Sequence, residues 1–363
     1  MPLHPLIGHR KTRGRMAEAV RSGRLPQVLL LTGPAGVGKQ RLALWLGQLL
    51  LCENPGDEPC GKCRACRLVE GVSHSDLHWF VPISRPKASE PDKQVEEASQ
   101  ALAAALEERR NQPLYGQCDG MAIHGVASVR LLQRRAAFTP VEGGRRVFII
   151  GEADRLVPQD GTEAAANALL KVLEEPPAGS VFILTTNDAG RMLPTIRSRA
   201  VLLRLRGLPD AEVRDFLRAQ LRPLPPADEL ERRVRAAEGS IGRALAAGEE
   251  SGRAQEAAHR LLDAVLAGPG PTLEQALRQA PWSARGDFTA MLDALAETLT
   301  EAARGTLGQS PRHQVPQALQ RYRHPERLLK AMAHVADARE AAWGNVNPQL
   351  LLAVLGEELA EAL

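Results

Sequence analysis

The sequence predicts an α/β domain with a parallel sheet, followed by a region built only from helices. A short apolar segment, a glycine-rich loop and an amphipathic segment follow one another over residues 28–50. Segments with the spacing of strands and of helices then alternate up to about residue 206, which is typical of a parallel sheet covered by helices. Beyond that residue, apolar side chains recur only at helical spacing. The 363 residues are enough for two or three domains with sizeable cores.

The glycine-rich loop has the spacing of a phosphate-binding loop. Residues 28–31 (VLLL) are too few for a helix and predict a buried strand, and the following amphipathic helix is predicted to run to Leu50. In such a loop, backbone N–H groups converge on a polyphosphate, the helix N-terminus adds its dipole, and a lysine contacts the β- and γ-phosphate oxygens. The candidate nucleotide-binding residues, in the pattern G-x-x-x-x-G-K, are Gly33, Gly36, Gly38 and Lys39. An ordinary glycine-rich turn is the alternative interpretation.

Two positions that usually serve a magnesium ion are changed in this chain. The residue after the lysine is normally Ser or Thr, and here it is Gln40. A second buried strand, over residues 147–150, leads into Gly151 and Glu152, where P-loop ATPases carry Asp-Glu. Glu152 remains as a candidate for polarising water, and Asp154 is interpreted as a solvated turn or cap residue. The two changes predict a degenerate site without hydrolysis and leave open whether ATP is still bound.

Four of the five cysteines form a cluster with the pattern C-x7-C-x2-C-x2-C, and Cys118 lies apart. The predicted metal ligands are Cys52, Cys60, Cys63 and Cys66. Short, sharply turned loops bring thiolates together as tetrahedral zinc requires, and four thiolates leave no open position for chemistry. We therefore expect a structural zinc ion. A pair of disulfides and an iron–sulfur cluster are the alternatives, and His74 and His78 are weaker candidate ligands.

The composition indicates a globular chain of modest charge. It is 44% hydrophobic and 25% charged, with 46 basic against 43 acidic residues and a net charge of +3. This balance does not by itself argue for nucleic-acid binding, and 3% aromatic residues are too few for base stacking to dominate. Basic residues interrupt residues 1–31, so that no secretory h-region is present, and no apolar stretch of about 18 residues exists. We expect a cytoplasmic protein that makes no membrane contact.

The remaining segments of the α/β domain continue the alternation. A short strand is predicted to end at Val81, and a polar excursion over residues 84–92 leads into an exposed, alanine-rich helix over 95–110. We interpret residues 84–112 as an insertion and assign it no function. The further predicted elements are helices over 124–138 and 163–175 and strands over 181–184 and 201–205.

The helical region is predicted to contain two domains. The predicted division is an α/β domain over residues 1–206 with a zinc module at about 52–66, a small helical domain over 207–268, and an all-α C-terminal domain over 269–363. Gly268-Pro269-Gly270-Pro271 predicts the linker between the last two. The helices are predicted over residues 210–221, 228–247, 273–279, 287–304, 325–343 and 348–363. Their apolar stripes indicate core packing or, alternatively, a surface shared with neighbouring subunits.

Several motifs together resemble one family over nearly the whole chain. They are the P-loop followed by the four cysteines, His74-Ser75-Asp76, residues 164–177 (AAANALLKVLEEPP), Ile196-Arg197-Ser198-Arg199, Gly239-Ser240-Ile241-Gly242-Arg243 and Gly344-Asn345-Val346-Asn347. This combination resembles the delta-prime subunits of the bacterial DNA polymerase III clamp loader, which are AAA+ relatives. The cysteines and the LLK…EEPP run are shared with the sister motor subunits, gamma and tau. The family usually has Cys after Ser-Arg, where this chain has Ala200, but the arginine is retained.

The resemblance implies a fold, a set of partners and two residue roles. The fold is an AAA+ P-loop domain with a zinc module, a helical lid and a helical collar that holds subunits together. The partners are gamma/tau and delta subunits in a hetero-pentameric ring of the DNA-directed DNA polymerase III holoenzyme, which loads the beta sliding clamp onto primed DNA. A delta-prime subunit is a stator that does not hydrolyse ATP. Arg199 matches an arginine finger aimed at the ATP of the adjacent motor subunit, and Arg243 matches the sensor-2 arginine. A surface arginine is the alternative for Arg199.

Two other functions remain open at this point. An ATP-hydrolysing motor of the gamma/tau class is disfavoured by Gln40 and Gly151 and by the lack of a long C-terminal extension. A stand-alone zinc-containing nucleic-acid-binding protein is disfavoured because the sequence lacks an aromatic or densely basic stretch.

Overall fold

The computed structural model describes most of the chain, which divides into two units. The described residues are 6–111, 122–142, 144–156, 164–246, 249–280, 287–309, 315–321, 325–342 and 346–363. The first unit is Met1–Leu224 with Ala237–Arg243, and the second is Pro225–Ala236 with Ala244–Leu363. The predictions for Cys118, Glu163 and Gly344-Asn345 lie outside the described residues. The division into three domains stays a prediction.

The first unit contains a five-stranded parallel sheet. Its strands are β1 (Val28–Thr32), β2 (Leu77–Phe80), β3 (Arg146–Ile150), β4 (Ser180–Thr186) and β5 (Val201–Arg204). They lie in the order β2-β3-β4-β1-β5, and every neighbouring pair is parallel. Leu30 on β1 lies opposite Leu184 on one side and Leu202 on the other. The predicted α/β fold class with a parallel sheet is therefore confirmed, and all five predicted strands are present.

Helices join the strands, and all the described elements of the second unit are helical. In the first unit they are α1 (Arg10–Arg21), α2 (Lys39–Leu51), α3 (Arg64–Glu70), α4 (Pro91–Asn111), α5 (Val126–Ala136), α6 (Ala164–Glu174), α7 (Pro194–Arg197) and α8 (Asp210–Gln220). Two helices, α9 (Ala227–Ala237) and α10 (Ile241–Ala246), cross the boundary between the units. The second unit continues with α11 (Glu249–Ala267), α12 (Pro269–Arg278), α13 (Asp287–Thr306), α14 (Pro325–Ala341) and α15 (Pro348–Ala362). Among the described residues, no helix combines the length and hydropathy that crossing a membrane requires.

The core of the first unit lies on both faces of the sheet. Every residue of β1, β3 and β4 is buried, which explains why these strands read as continuous apolar runs and not as an alternation. Phe148 and Phe182 stack across β3 and β4 with their ring centroids 4.9 Å apart. Only the edge strand β5 leaves large apolar side chains in solvent, with Val201 and Leu202 about half exposed. The inner strands, with the loops at their carboxyl ends, are thus held by packing on both faces of the sheet.

Helix α4 differs from its prediction, because it is not an exposed insertion. Val95, Ala98 and Leu102 are buried at helical spacing, and the helix packs along α5. Arg109, seven residues beyond Leu102 and so on the same stripe, is buried as well. The high content of Ala, Glu and Arg hid a narrow apolar stripe of small side chains.

The predicted linker at residues 268–271 is a tight connection between two packed helices. Helix α11 ends at Ala267, and α12 already begins at Pro269. Gly268 takes φ = 116°, and proline is tolerated in the first helical turn because its missing N–H has no intrahelical partner there. The two helices pack against each other inside the second unit, whose core includes Leu261, Leu292 and Leu355.

Candidate functional site

The predicted phosphate-binding loop joins β1 to α2 and depends on its glycines. Gly33, Gly36 and Gly38 all have positive φ values of 151°, 73° and 96°, which side chains rarely adopt. A Cβ atom at Gly33 would also lie 2.5 Å from the Leu205 carbonyl oxygen. The strand, loop and helix therefore follow one another as the sequence predicts, with α2 beginning at Lys39.

The P-loop lysine is turned back onto its own loop. Lys39 Nζ donates hydrogen bonds to the carbonyl oxygens of Gly33 at 2.7 Å and Pro34 at 2.6 Å. Burial lowers the pKa of Lys39 to about 8, although the charges of Asp154 and Glu152 oppose the shift. The loop is thus internally satisfied, and a polyphosphate has to displace these two carbonyl contacts to reach the ammonium group.

Gln40, which stands where the phosphate-binding loop pattern has Ser or Thr, is held by two hydrogen bonds. Its Oε1 accepts hydrogen bonds from Trp79 Nε1 and from Arg109 Nη1, both at 3.2 Å, which use both lone pairs. A Cβ atom at Gly151 would lie only 2.7 Å from this oxygen. The two changed positions are therefore linked, because a side chain at residue 151 would require the Gln40 amide to move from its hydrogen bonds.

Glu152, the one retained acid, is held by basic side chains. Its carboxylate lies 3.0 Å from Arg155 Nε and 3.8 Å from Arg109 Nη2. Its backbone has a left-handed φ of 53°, and its N–H donates to Thr185 Oγ1 at 3.1 Å. A carboxylate bound in this way is poorly placed to accept a proton from water.

Two neighbours of this acid stabilise the same turn after β3. Asp154 accepts a hydrogen bond from Thr186 Oγ1 at 2.9 Å, so it joins the turn to the end of β4 and is more than a solvated cap. The buried His124 ring donates from Nε2 to the Gly151 carbonyl oxygen at 2.7 Å. Burial lowers the pKa of His124, which favours the neutral ring.

The Gly239–Arg243 motif contacts the P-loop through its backbone and its serine. Ser240 Oγ donates to the Ala35 carbonyl oxygen at 2.8 Å, and the Gly242 N–H donates to the Gly36 carbonyl oxygen at 3.1 Å. The backbones are so close that a Cβ atom at Gly36 would lie 2.8 Å from the Gly242 Cα. Arg243 pairs with Glu238 at 3.0 Å. The predicted motif thus reaches the loop, and the sensor-2 role of its arginine stays a prediction.

The four predicted metal ligands come together at the C-terminal end of α2. Their Sγ atoms all lie within 4.8 Å of one another, and those of Cys60 and Cys66 are 4.0 Å apart. Backbone N–H groups of Cys60, Cys63 and Cys66 donate to the sulfur atoms of Cys52, Cys60 and Cys63, at 3.3–3.4 Å. Gly61, with φ = 68°, turns the chain between Cys60 and Cys63. The donor set and its turns fit a closed four-thiolate site for a metal ion.

Neither disulfides among the four cysteines nor a ligand role for His74 is supported by the geometry. The four thiols are free, so no disulfide forms among them. The histidine motif is structural, because His74 Nδ1 accepts from the Asp76 N–H at 3.0 Å. The Asp76 carboxylate in turn accepts the N–H groups of Val141 and Glu142, both at 2.7 Å. Burial raises the pKa of Cys66, a cost that a bound cation would offset by stabilising the thiolate.

Arg199 lies beside the edge strand of the sheet, two residues before β5 begins. Its Nη2 is 2.6 Å from Glu174 Oε1 at the end of α6, and its Nη1 donates to the Thr195 carbonyl oxygen at 2.9 Å. The two side chains are 35% and 47% exposed. Exposed ion pairs of this kind contribute only about 0–1 kcal/mol, so the arginine is free to exchange its partner for a stronger anion.

Comparison with known proteins assigns the chain to a family. The family described as "DNA polymerase III, delta subunit" matches residues 8–209, more than half of the chain. The chain belongs to this family. It is 28% identical to DNA polymerase III subunit delta′ of Escherichia coli over 349 residues, which cover 93% of this chain and 90% of that protein. The resemblance to delta-prime subunits is therefore confirmed.

Two further relatives match little more than half of the chain. The delta′ subunit of Bacillus subtilis is 30% identical over 199 residues, 55% of this chain and 48% of that protein. A gamma/tau subunit of Mycobacterium tuberculosis is 32% identical over 213 residues, 58% of this chain and 30% of that protein. The chain thus spans about half and about a third of the lengths of these relatives.

Sequence reasoning missed several residues of the site. Arg109, Trp79 and Arg155 surround Gln40 and Glu152, and Glu174 holds Arg199. Only Arg109 gives a signal in the sequence, because a basic residue on the stripe of Val95, Ala98 and Leu102 is out of place on an ordinary apolar face. The others are recognised only once the strands are brought together.

The cysteine cluster leads to a prediction about metal content. We expect about one zinc ion per chain, with zinc–sulfur distances of about 2.3 Å by X-ray absorption. Cys63→Ser should lose the metal and lower the thermal unfolding midpoint, because the turn between α2 and α3 loses its cross-link. Cys118→Ser, outside the motif, is the matched control and should retain zinc. Protein purified without chelator that contains no zinc would contradict the assignment.

Proposed function

We propose that this chain is a delta-prime-type subunit of a bacterial DNA polymerase III clamp loader and that it does not hydrolyse ATP. The observation behind the absence of hydrolysis is the packing of Gln40 against Gly151 and Arg109, which leaves no room for the usual magnesium ligands. The family membership and the Escherichia coli relative, which matches nearly the whole chain, support the clamp-loader assignment.

The proposal includes partners that the comparisons support only in part. The relatives are subunits of DNA polymerase III. For this chain we propose a hetero-pentameric cytoplasmic ring with gamma/tau and delta subunits, which opens the beta sliding clamp and loads it onto primed DNA. We also propose that the metal held by the four cysteines is zinc, because four thiolates in a closed set suit this ion.

A gamma/tau-type motor is the second candidate, because such a subunit is 32% identical over 213 residues, 58% of this chain. The site argues against it. A motor needs a metal to neutralise the transferring phosphoryl group and an acid to orient water. In this chain Gly151 has no side chain, Gln40 has no hydroxyl, and Glu152 is paired with Arg155.

Arg199 is the proposed finger for the ATP of a neighbouring subunit. It lies at the exposed edge of the sheet, next to the half-exposed Val201 and Leu202. A guanidinium stays charged at any working pH and binds phosphate oxygens in a planar fork. The weak ion pair with Glu174 holds the side chain in place, yet a phosphate can replace the carboxylate as its partner.

An apolar surface on the second unit supports assembly with other subunits. Leu277 on α12 and Leu350 on α15 are each 62% exposed, and Leu273 and Val354 on the same helices are also exposed. Gln349 Nε2 donates to the Leu277 carbonyl oxygen at 3.1 Å, so the two helices lie side by side here. Exposed apolar side chains grouped in this way are typical of protein interfaces.

The first prediction from this proposal concerns ATP turnover. The isolated chain should hydrolyse ATP no faster than its Lys39→Ala variant, because the metal-linked positions are already lost. The measurement is steady-state phosphate release with magnesium present, and a gamma/tau subunit assayed in parallel is the positive control. A magnesium-dependent turnover on the order of 1 s⁻¹ that Lys39→Ala abolishes would favour the motor.

The second prediction concerns the finger. In a reconstituted ring, Arg199→Ala should lower clamp- and DNA-stimulated ATPase by about tenfold or more. This is less than the roughly 10³- to 10⁵-fold contributed by fingers in small GTPases, because other subunit boundaries keep their own arginines. Arg199→Lys should rescue only partly, since an ammonium cannot form the fork. Arg191→Ala, on an exposed turn nearby, is the control. Wild-type loading rates with Arg199→Ala in an assembled ring would exclude the role.

The third prediction concerns the apolar surface of α12 and α15. Leu277→Lys and Leu350→Lys should leave the chain folded, because both side chains are in solvent, yet weaken its co-elution with gamma/tau and delta subunits in size-exclusion chromatography. Leu329→Lys, an exposed leucine on α14, is the matched control. If all three variants assembled like the wild type, this surface would not be the interface.

A further inference from the structure

A buried arginine lies beside the P-loop, and its own charge has no role in the function proposed above. Arg109 stands in the last turn of α4 and is only 5% exposed. Its Nη1 donates to Gln40 Oε1 at 3.2 Å, and its Nη2 is 3.8 Å from Glu152 Oε1. Its Cζ also lies 5.2 Å from the centre of the Trp79 ring.

Burying a charged group is costly unless its surroundings offset the lost hydration. Four features around Arg109 do so. Glu152 supplies an opposite charge, Gln40 an oxygen acceptor, and Trp79 an aromatic face for a cation–π contact. The C-terminal end of α4 adds the negative end of the helix dipole. These surroundings suit a flat, weakly hydrated guanidinium.

The same surroundings do not suit the magnesium ion that an active P-loop holds at this place. Magnesium requires near-octahedral oxygen coordination at about 2.0–2.1 Å and keeps several waters. Here Gln40 Oε1 already accepts two hydrogen bonds, and Gly151 has neither a carboxylate nor room for one. A divalent cation would also be repelled by the guanidinium a few ångströms away.

We propose that Arg109 is a built-in cation that takes the place of the divalent metal between α2 and the end of β3, and that α4 holds it there. The buried stripe of Val95, Ala98 and Leu102 fixes α4 against α5, and Arg109 continues the stripe to the P-loop helix. Helix α4 is thus an integral part of this site. The inference concerns the metal requirement of this chain alone and is independent of its place in a clamp loader.

The test restores the magnesium positions with and without the arginine. Gln40→Thr with Gly151→Asp returns a hydroxyl and a carboxylate, and a third change, Arg109→Ala, removes the internal cation. The matched control adds Arg110→Ala instead, the adjacent arginine, whose Nη1 donates to the Gly71 carbonyl oxygen at 3.5 Å. Binding of a fluorescent, non-hydrolysable ATP analogue to each isolated chain is titrated in magnesium and in EDTA, and Mn²⁺ uptake is followed by electron paramagnetic resonance.

Only the triple variant with Arg109→Ala should gain metal-dependent binding. We expect the analogue to bind it about tenfold or more tightly in magnesium than in EDTA, because the metal then meets no competing charge. The wild type, the double variant and the Arg110→Ala control should show equal affinities, or equal absence of binding, in the two buffers. Mn²⁺ uptake should rise in the triple variant alone.

Each contrary result decides against the proposal. Magnesium dependence in the wild type, or in the double variant to the same degree as in the triple variant, would show that Arg109 does not occupy the metal position. A folded triple variant whose binding does not depend on magnesium would also show that Arg109 does not occupy the metal position. If circular dichroism shows that Arg109→Ala unfolds the chain, Arg109→Met, which keeps most of the apolar stem, replaces it and has to give the same gain.

Discussion

The burial of the Arg109 guanidinium constrains the whole carboxyl end of the sheet. A buried charge without partners would destabilise the fold by several kcal/mol, so the residues around it are fixed together. Gln40 has to reach across from α2, Trp79 on β2 has to present its ring to the arginine, and Glu152 has to turn inward after β3. Gly151 follows from the same constraint, since the Gln40 amide occupies the volume of its missing side chain. The changes in the P-loop therefore depend on one another.

The fold was largely predictable from the sequence because its signals are local. The inner strands read as unbroken apolar runs, and the glycines of the loop mark its turns. The cysteine cluster was also predictable, since short spacing within one loop almost dictates proximity. The burial of α4 was missed because its stripe is narrow. The start of α12 at Pro269 was also missed, because proline serves a linker and a helix start equally well.

The site was only half predictable, for a physical reason. Gln40 and Gly151 were recognised as departures from a pattern, but the pattern cannot say what replaces the lost metal. To answer that, one has to know that residues 40, 79, 109 and 152 lie in contact. These residues are far apart in the sequence, and they come together through the strand order β2-β3-β4 and the packing of α2 across the sheet. The partner of Arg199 was missed for the same reason, since Glu174 precedes it by 25 residues and β4 intervenes.

A ligand shifts a conformational equilibrium only as far as it binds one state better than the other. The P-loop end of this chain satisfies its own charges: Lys39 binds the carbonyl groups of its loop, Arg109 stands beside Glu152, and Ser240 holds the loop from outside. Because these contacts are made within the chain, we expect metal and nucleotide to bind a rearranged conformation of this region little better than the present one. The proposed finger, by contrast, is held only by a weak exposed pair at the sheet edge. The residues around the P-loop thus bind one another, whereas the side chain of Arg199, the proposed finger, lies outside this network with a partner that it can exchange.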